Sequence, residues 1–185
     1  MSNYKTINKK YSIEEYDPTW VEKFDAIKKI LQIIFGENAL AIEHVGSTSI
    51  AGMKAKPIID VLVVVKAMEP FEIEKQKMQE LGYQYQKNYL RENSLFFYQN
   101  IDGIRIENIH VFPVGHEKIS EFIDTRDYLK THPDSVRRYE ELKERLYKEY
   151  PNDYISYRKG KDEFLSIELA QEVKRWKEDS AHKEV

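Results

Sequence analysis

The chain contains no cysteine, which excludes a disulfide framework, a thiolate nucleophile and any cysteine-ligated zinc or iron–sulfur site. It also lacks any run approaching the roughly 20 apolar residues that a membrane-spanning helix needs. The opening residues Met1-Ser2-Asn3-Tyr4-Lys5 lead into a polar segment without the apolar stretch of a secretory signal. A cytoplasmic protein with no membrane partner is the expectation. Nor is one charge in excess: 29 basic residues stand against 32 acidic ones, for a formal net charge of −3. No whole-molecule field therefore draws the chain to nucleic acid, and none is expected as a partner. A small anion such as a nucleotide needs only a local cluster of Lys and Arg, which net charge does not exclude. Internal repeats and low-complexity linkers are absent as well.

What is present is ordinary globular material, 185 residues of which 41% are hydrophobic and 12% aromatic. A chain of this size buries roughly 70% of its extended surface around one core. A single domain over residues 11–177 is expected, with short, charged, mobile tails at 1–10 and 178–185. Asp17-Pro18 opens an amphipathic helix that carries Trp20, Phe24, Ile27, Leu31 and Ile34 at helical spacing and stops at Gly36. Residues 39–45 form a strand, broken by Gly46-Ser47-Thr48-Ser49. Residues 57–65 are so rich in β-branched side chains that the strand they predict is buried on both faces. A second helix runs from Pro70 through Phe71, Met78 and Leu81 to Gly82. Two further strands at 95–100 and 104–112 are joined through the turn dipeptide Asp102-Gly103. Helical segments then follow near 117–131, 134–150 and 153–177, separated by His132-Pro133 and Pro151-Asn152. The fold class is α/β (α+β), a mixed central sheet flanked by helices with a helical C-terminal portion.

Chemistry concentrates between the first two strands. Gly46-Ser47 ends one strand and Asp60 lies inside the next, a layout that resembles nucleotidyltransferases. In such a layout the glycine admits a triphosphate to the backbone, hydroxyls and amides meet its oxygens, and the strand carboxylate holds magnesium. Taken alone, Gly46-Ser47 is better accounted for as an ordinary turn that ends a strand. Asp60 is harder to explain structurally, because a carboxylate in an apolar strand costs several kcal/mol unless it is paired, hydrogen-bonded or metal-bound. A buried Asp that caps loop amides or pairs with Lys56 is the alternative.

A longer pattern extends this. Glu43-His44-Val45-Gly46-Ser47-Thr48-Ser49, then Lys56-Pro57-Ile58-Ile59-Asp60-Val61, resembles the signature of the GrpB family. Tyr16-Asp17-Pro18 with Trp20, Arg126-Asp127-Tyr128-Leu129, His132-Pro133, Tyr139, Leu142-Lys143, Tyr157, Lys161 and Phe164 carry the likeness through most of the chain. The resemblance implies a nucleotidyltransferase-like fold, a predicted activity, and a domain fused in some bacteria to dephospho-coenzyme A kinase. Two departures stand out. Leu62 occupies the position where a second acid completes a two-metal clamp, and Asn108-Ile109-His110 replaces a His-x-His. Asn108 and His110 share one strand face, whereas Glu107 points away from them.

The expected site therefore consists of Asp60 as metal-holding and catalytic acid, His110 as ligand, phosphate donor or base, and Gly46, Ser47, Thr48, Ser49, Lys56, Arg126, Lys143 and Lys161 around phosphate. Arg126 is favoured among the cations for its two-pronged grip on phosphate oxygens. The expected ligand is a nucleoside triphosphate with magnesium, its nucleotidyl group passing to an unknown acceptor. The alternative is a catalytically degenerate protein that binds a nucleotide or another phosphorylated small molecule. Oligomeric state is left open.

Overall fold

The structure is a computed structural model that describes residues 11–68 and 71–181. Helix α1 (Thr19–Phe35) begins where the Asp17 carboxylate accepts hydrogen bonds from the Thr19 amide at 2.9 Å and the Thr19 hydroxyl at 2.7 Å. All five apolar residues of its predicted stripe are buried. Strand β1 (Ala39–Val45) and strand β2 (Ile59–Val65) run antiparallel. Helix α2 (Glu72–Glu80) follows; the Pro70 assigned to its start lies outside the described residues. Strand β3 (Gln84–Lys87), strand β4 (Leu95–Ile101) and strand β5 (Ile104–Pro113) complete a mixed sheet in the order β1-β2-β5-β4-β3. Only β2 and β5 pair in parallel, and the long crossover that parallel pairing requires is supplied by α2, β3 and β4.

Two details of the sheet differ from a plain reading of the chain. Strand β3 is a short run of Gln, Tyr, Gln and Lys at the sheet edge, too short and polar to announce itself by hydrophobic pattern. The β4–β5 hairpin turns through Asp102 and Gly103, both with positive φ, as an Asp-Gly turn should. Its register then steps, because Gln99 pairs with Glu107 while Asn100 pairs with Arg105. One residue of β5 is thus extra, and the alternation of its side chains shifts there.

One face of the sheet is sealed by α1 and α2. Val61, Val63, Ile109, Val111 and Phe97, each 0% exposed, pack there against Trp20, Leu31 and Met78. At roughly 1.5–3 kcal/mol for each large apolar side chain taken from water, this cluster dominates the folding energy. The opposite face meets helix α3 (Glu117–Thr131) over Val45, Leu62, Val64 and Phe112. Helix α4 (Pro133–Glu149) and helix α5 (Tyr154–Phe164) come next. A wide π turn at Leu165–Leu169 leads into helix α6 (Ala170–Ala181), four residues beyond the predicted end at 177. Gly160 lets α5 approach α4 closely, since a β-carbon there would stand 2.6 Å from a Leu146 methyl. Helices α3 to α6 share a core of their own with Ile50 and Met53 from the loop after β1. This clamps the Gly46–Lys56 loop between the sheet and the helical portion.

Candidate functional site

Strand pairing places Glu43, Val45, Asp60, Leu62, Asn108 and His110 on one face of the sheet. Gly46 closes β1 with φ +72°, and a β-carbon at this position would lie 2.6 Å from Asp60 Oδ2. Glycine is therefore demanded twice, by the left-handed backbone and by the carboxylate beside it. The 3₁₀ turn Ser47–Ser49 follows. Ser49 Oγ donates to the Gly46 carbonyl at 2.6 Å, and the Thr48 hydroxyl donates to the Ile58 carbonyl at 3.2 Å. Because that hydroxyl has spent its only proton, His44 Nε2, 3.0 Å away, carries the hydrogen between them. His44 also stacks on Phe24, and burial holds its pKa down to about 4. Thr48 and Ser49 thus build the turn, leaving Ser47 to face the helices.

Asp60 keeps 27% of its side chain accessible. Its Oδ1 accepts a 2.8 Å hydrogen bond from Asn108 Nδ2, and Asn108 Oδ1 accepts one of 2.8 Å from Arg105. The amide orientation is chemically forced, since a guanidinium can only donate. His110 Nε2 lies 3.8 Å from Asp60 Oδ1, beyond hydrogen-bond reach, in a buried position between Phe96 and Phe122. Burial alone would push the Asp60 carboxyl up, but His110, the Asn108 amide and the charge of Lys161 outweigh it and hold the carboxyl ionised.

Opposite Asp60, α4 and α5 bring in cations. Lys143 continues the inward row Ser135, Tyr139, Lys143 and Leu146 of α4 and is 3% exposed. Its ammonium donates to the Lys54 carbonyl and reaches Ser47 Oγ at 3.5 Å. Lys56 donates to the Tyr154 hydroxyl at 2.8 Å, with the rings of Tyr154, Tyr157 and Tyr11 within 5.9 Å of its charge. Among the described residues neither ammonium has a carboxylate within ion-pair distance. Burial first, and then the neighbouring Lys161 for Lys56, bring the Lys56 pKa down to about 7. Lys143 falls to about 7 as well, through burial above all, with Lys161 and Lys56 adding repulsion against the pull of Glu140. The face of α5 completes the recess with Tyr154, Tyr157, Arg158 and Lys161, at i, i+3, i+4 and i+7. Arg158 binds the Tyr89 hydroxyl at 2.7 Å and Asp162 at 3.1 Å, while Lys161 stands 3.9 Å from Asp162.

The favoured cation sits elsewhere. Arg126 donates to Glu43 at 2.7 Å, Asp127 at 2.7 Å and the His44 carbonyl at 3.2 Å, so its guanidinium is committed to tying α3 to β1. Of the expected residues, the structure therefore gathers Gly46, Ser47, Asp60, Lys56, Lys143 and Lys161 into one recess. Thr48 and Ser49 support it, and His110 lies buried beside Asp60. Arg105, Arg158 and Tyr154 were missed. The helical spacing of Tyr154, Arg158 and Lys161 was the available signal for α5. Arg105 had none, because simple alternation along β5 sets it on the face of Glu107, and only the extra residue turns it toward Asn108.

The same geometry tests the expected magnesium. Leu62, at the position of the second acid, is 0% exposed in the apolar cluster under α3. Among the described residues no three His, Cys, Asp or Glu side chains converge on a point that would hold a metal. Asp60 stands amid Lys56, Lys161 and Arg105, and the nearby Asp162 is engaged by Arg158 and Lys161, an arrangement that does not fit a two-metal clamp.

Comparison with known proteins bears on the whole arrangement. The family model described as GrpB protein matches residues 10–171. The chain belongs to the GrpB family. It is 36% identical over 172 residues to the UPF0157 protein YqkA of Bacillus subtilis, covering 91% of this chain and 49% of that protein. The chain thus spans about half the length of this relative. A stretch of 56 residues is 36% identical to part of the dephospho-CoA kinase of Mycobacterium tuberculosis, covering 29% of this chain and 14% of the kinase, in keeping with the fusions that the resemblance implies. The crystal structure of GrpB from Enterococcus faecalis superposes with a TM-score of 0.83 at 29% identity, over 89% of this chain and 99% of that one. The GrpB architecture is therefore shared, with its mixed sheet and helical C-terminal portion. No helix among the described residues is long and apolar enough to cross a membrane.

Proposed function

We propose that this GrpB-family chain binds a small phosphorylated molecule in the recess between β2 and helices α4 and α5. The observation that carries the reading is the pair formed by the buried Lys143 and the half-buried Lys56 beside a glycine turn, neither of which has a carboxylate within ion-pair distance among the described residues. Burying an unpaired cation is unfavourable, and a phosphate supplies the missing counter-charge. In this reading Lys143 and Ser47 hold one set of phosphate oxygens, Lys56 and Lys161 neutralise them, and Arg158 extends the cationic wall toward Tyr89. A nucleotide is the ligand to which the family resemblance points. Other phosphorylated metabolites satisfy the same chemistry. Calorimetric titration with inorganic pyrophosphate and each nucleoside triphosphate, on the wild type and on Lys143→Met, tests this. Binding that drops at least about tenfold in the variant supports it; equal affinity in the two proteins sinks it.

Nucleotidyl transfer is the second reading, and one feature of Asp60 favours it. Among the described residues no donor is bonded to Asp60 Oδ2, so this oxygen is free to accept the proton of an acceptor hydroxyl. Asp60→Asn then abolishes product formation while phosphate binding survives. Turnover at the wild-type rate in that variant removes the transfer role from Asp60.

A further inference from the structure

The Arg105–Asn108–Asp60 chain occupies one oxygen of the carboxylate at which a divalent cation was expected. Asn108 stands directly beside Asp60 in the β2–β5 pairing, and its amide hydrogen is aimed into Oδ1 at 2.8 Å. It cannot rotate to offer its oxygen instead, because that oxygen is held by Arg105 Nη1 at 2.8 Å. Arg105 is itself fixed, by a 2.9 Å hydrogen bond to Asn100 and by stacking 3.7 Å over the Tyr98 ring. The second acid position is closed by the packing of Leu62. The charge that a metal would contribute is already present as Lys56, Lys143 and Lys161, all of which feel one another through the recess.

From this juxtaposition we infer that Asn108, locked by Arg105, takes the place of a metal ion at Asp60, and that the recess accepts a phosphate ester or pyrophosphate group as the free anion rather than as its magnesium complex. The inference rests on the phosphate-binding reading above. It assigns Asn108 and Arg105 as specificity-determining residues and narrows the ligand class to metal-free phosphorylated molecules.

Two measurements separate its failure from the failure of that reading. The first is calorimetric titration of inorganic pyrophosphate in chelator and in excess magnesium. Magnesium draws pyrophosphate into a complex, so affinity should be at least about tenfold weaker in its presence, because the ammonium groups then lose part of the ligand's charge. Tighter binding with magnesium overturns the inference while leaving phosphate binding intact. The absence of binding in either medium overturns the phosphate reading, and with it the ligand class. The second uses the protein alone: manganese titrated against it and followed by electron paramagnetic resonance. The ion should stay free at millimolar concentration. Stoichiometric uptake that disappears in Asp60→Asn shows the carboxylate to be a metal ligand and overturns the inference whatever pyrophosphate does.

Discussion

The two faces of the central sheet are built from the same strands and serve opposite ends. Along β2, Val61 and Val63 point into a sealed apolar layer beneath α1, while Asp60, one residue away, opens onto a recess crowded with cations. On the first face the few polar groups, His44 against Phe24 and Glu107 against Tyr83, lie among apolar side chains. On the second a carboxylate, an amide and a histidine sit at the sheet surface, with the buried Lys143 of α4 and the half-buried Lys56 of the loop before β2 nearby. Stability is concentrated on one side, and the under-neutralised groups to which we assign binding are kept on the other.

Substitutions on the two faces should differ most sharply at neighbouring positions. Val61→Asp places an uncompensated charge in the sealed layer and should cost about 4 kcal/mol or more, enough to abolish the folded state in urea unfolding. Asp60→Asn should cost about 1 kcal/mol or less, because the amide oxygen still accepts from Asn108. If the two variants lose comparable stability, the division between the faces is wrong. Gly46→Ala comes next. It meets both the φ of +72° and the 2.6 Å approach to Asp60 Oδ2, and a loss of roughly 2 kcal/mol or more is expected, read from the same unfolding curves. Lys143→Met should do the reverse, raising the stability at neutral pH by about 1 kcal/mol while weakening phosphate binding. A melting temperature that falls in this variant would mean that Lys143 is a structural cation.

The contrast extends to pH. Lys56 and Lys143 have folded pKa values near 7 against an ordinary 10.5, so between these values the unfolded chain holds the extra protons. Stability contributed by the two lysines is therefore complete above about 10.5 and is lost as pH falls toward 7. Phosphate affinity moves the other way and should weaken as pH rises through neutrality, because the ammonium groups discharge. Affinity that is flat over this range, measured by titration at several pH values, would separate the lysines from the ligand. The smallest effect belongs to Arg126→Gln, at the tie between α3 and β1. A loss of about 1 kcal/mol in stability with unchanged phosphate affinity is expected; an affinity that falls as far as in Lys143→Met would return Arg126 to the site.

The first face was largely legible in the chain. The stripe of α1 and the β-branched run of β2 carry periods that only burial explains, and the Asp102-Gly103 turn and the breaks at His132-Pro133 and Pro151 locate the later elements. Strand β3 escaped because four mostly polar residues at an edge have no apolar period. The second face was legible only in part. Gly46, Ser47 and Asp60 stand in a recognisable spacing, and Lys143 follows Tyr139 by one turn on the buried row of α4. Charge runs conceal such a residue, since Glu140-Glu141 and Glu144-Arg145 around it have the pattern of a solvated helix surface. Arg126 was misleading for a related reason: a guanidinium able to grip phosphate is equally able to grip Glu43 and Asp127. What decided its partners was the distance between helix and strand, which no local pattern encodes. Arg105 depended on one extra residue in β5, and sequence spacing alone gives no sign of it.

The most direct test of the lysine recess is a titration of pyrophosphate at neutral pH in buffers of different ionisation enthalpy, on the wild type and on Lys143→Met. An anion raises the pKa of both half-discharged lysines, so the wild type should take up protons as it binds, and Lys143→Met should bind more weakly with less uptake. Pyrophosphate that fails to bind, or that binds without proton uptake and equally well in both proteins, would contradict the account.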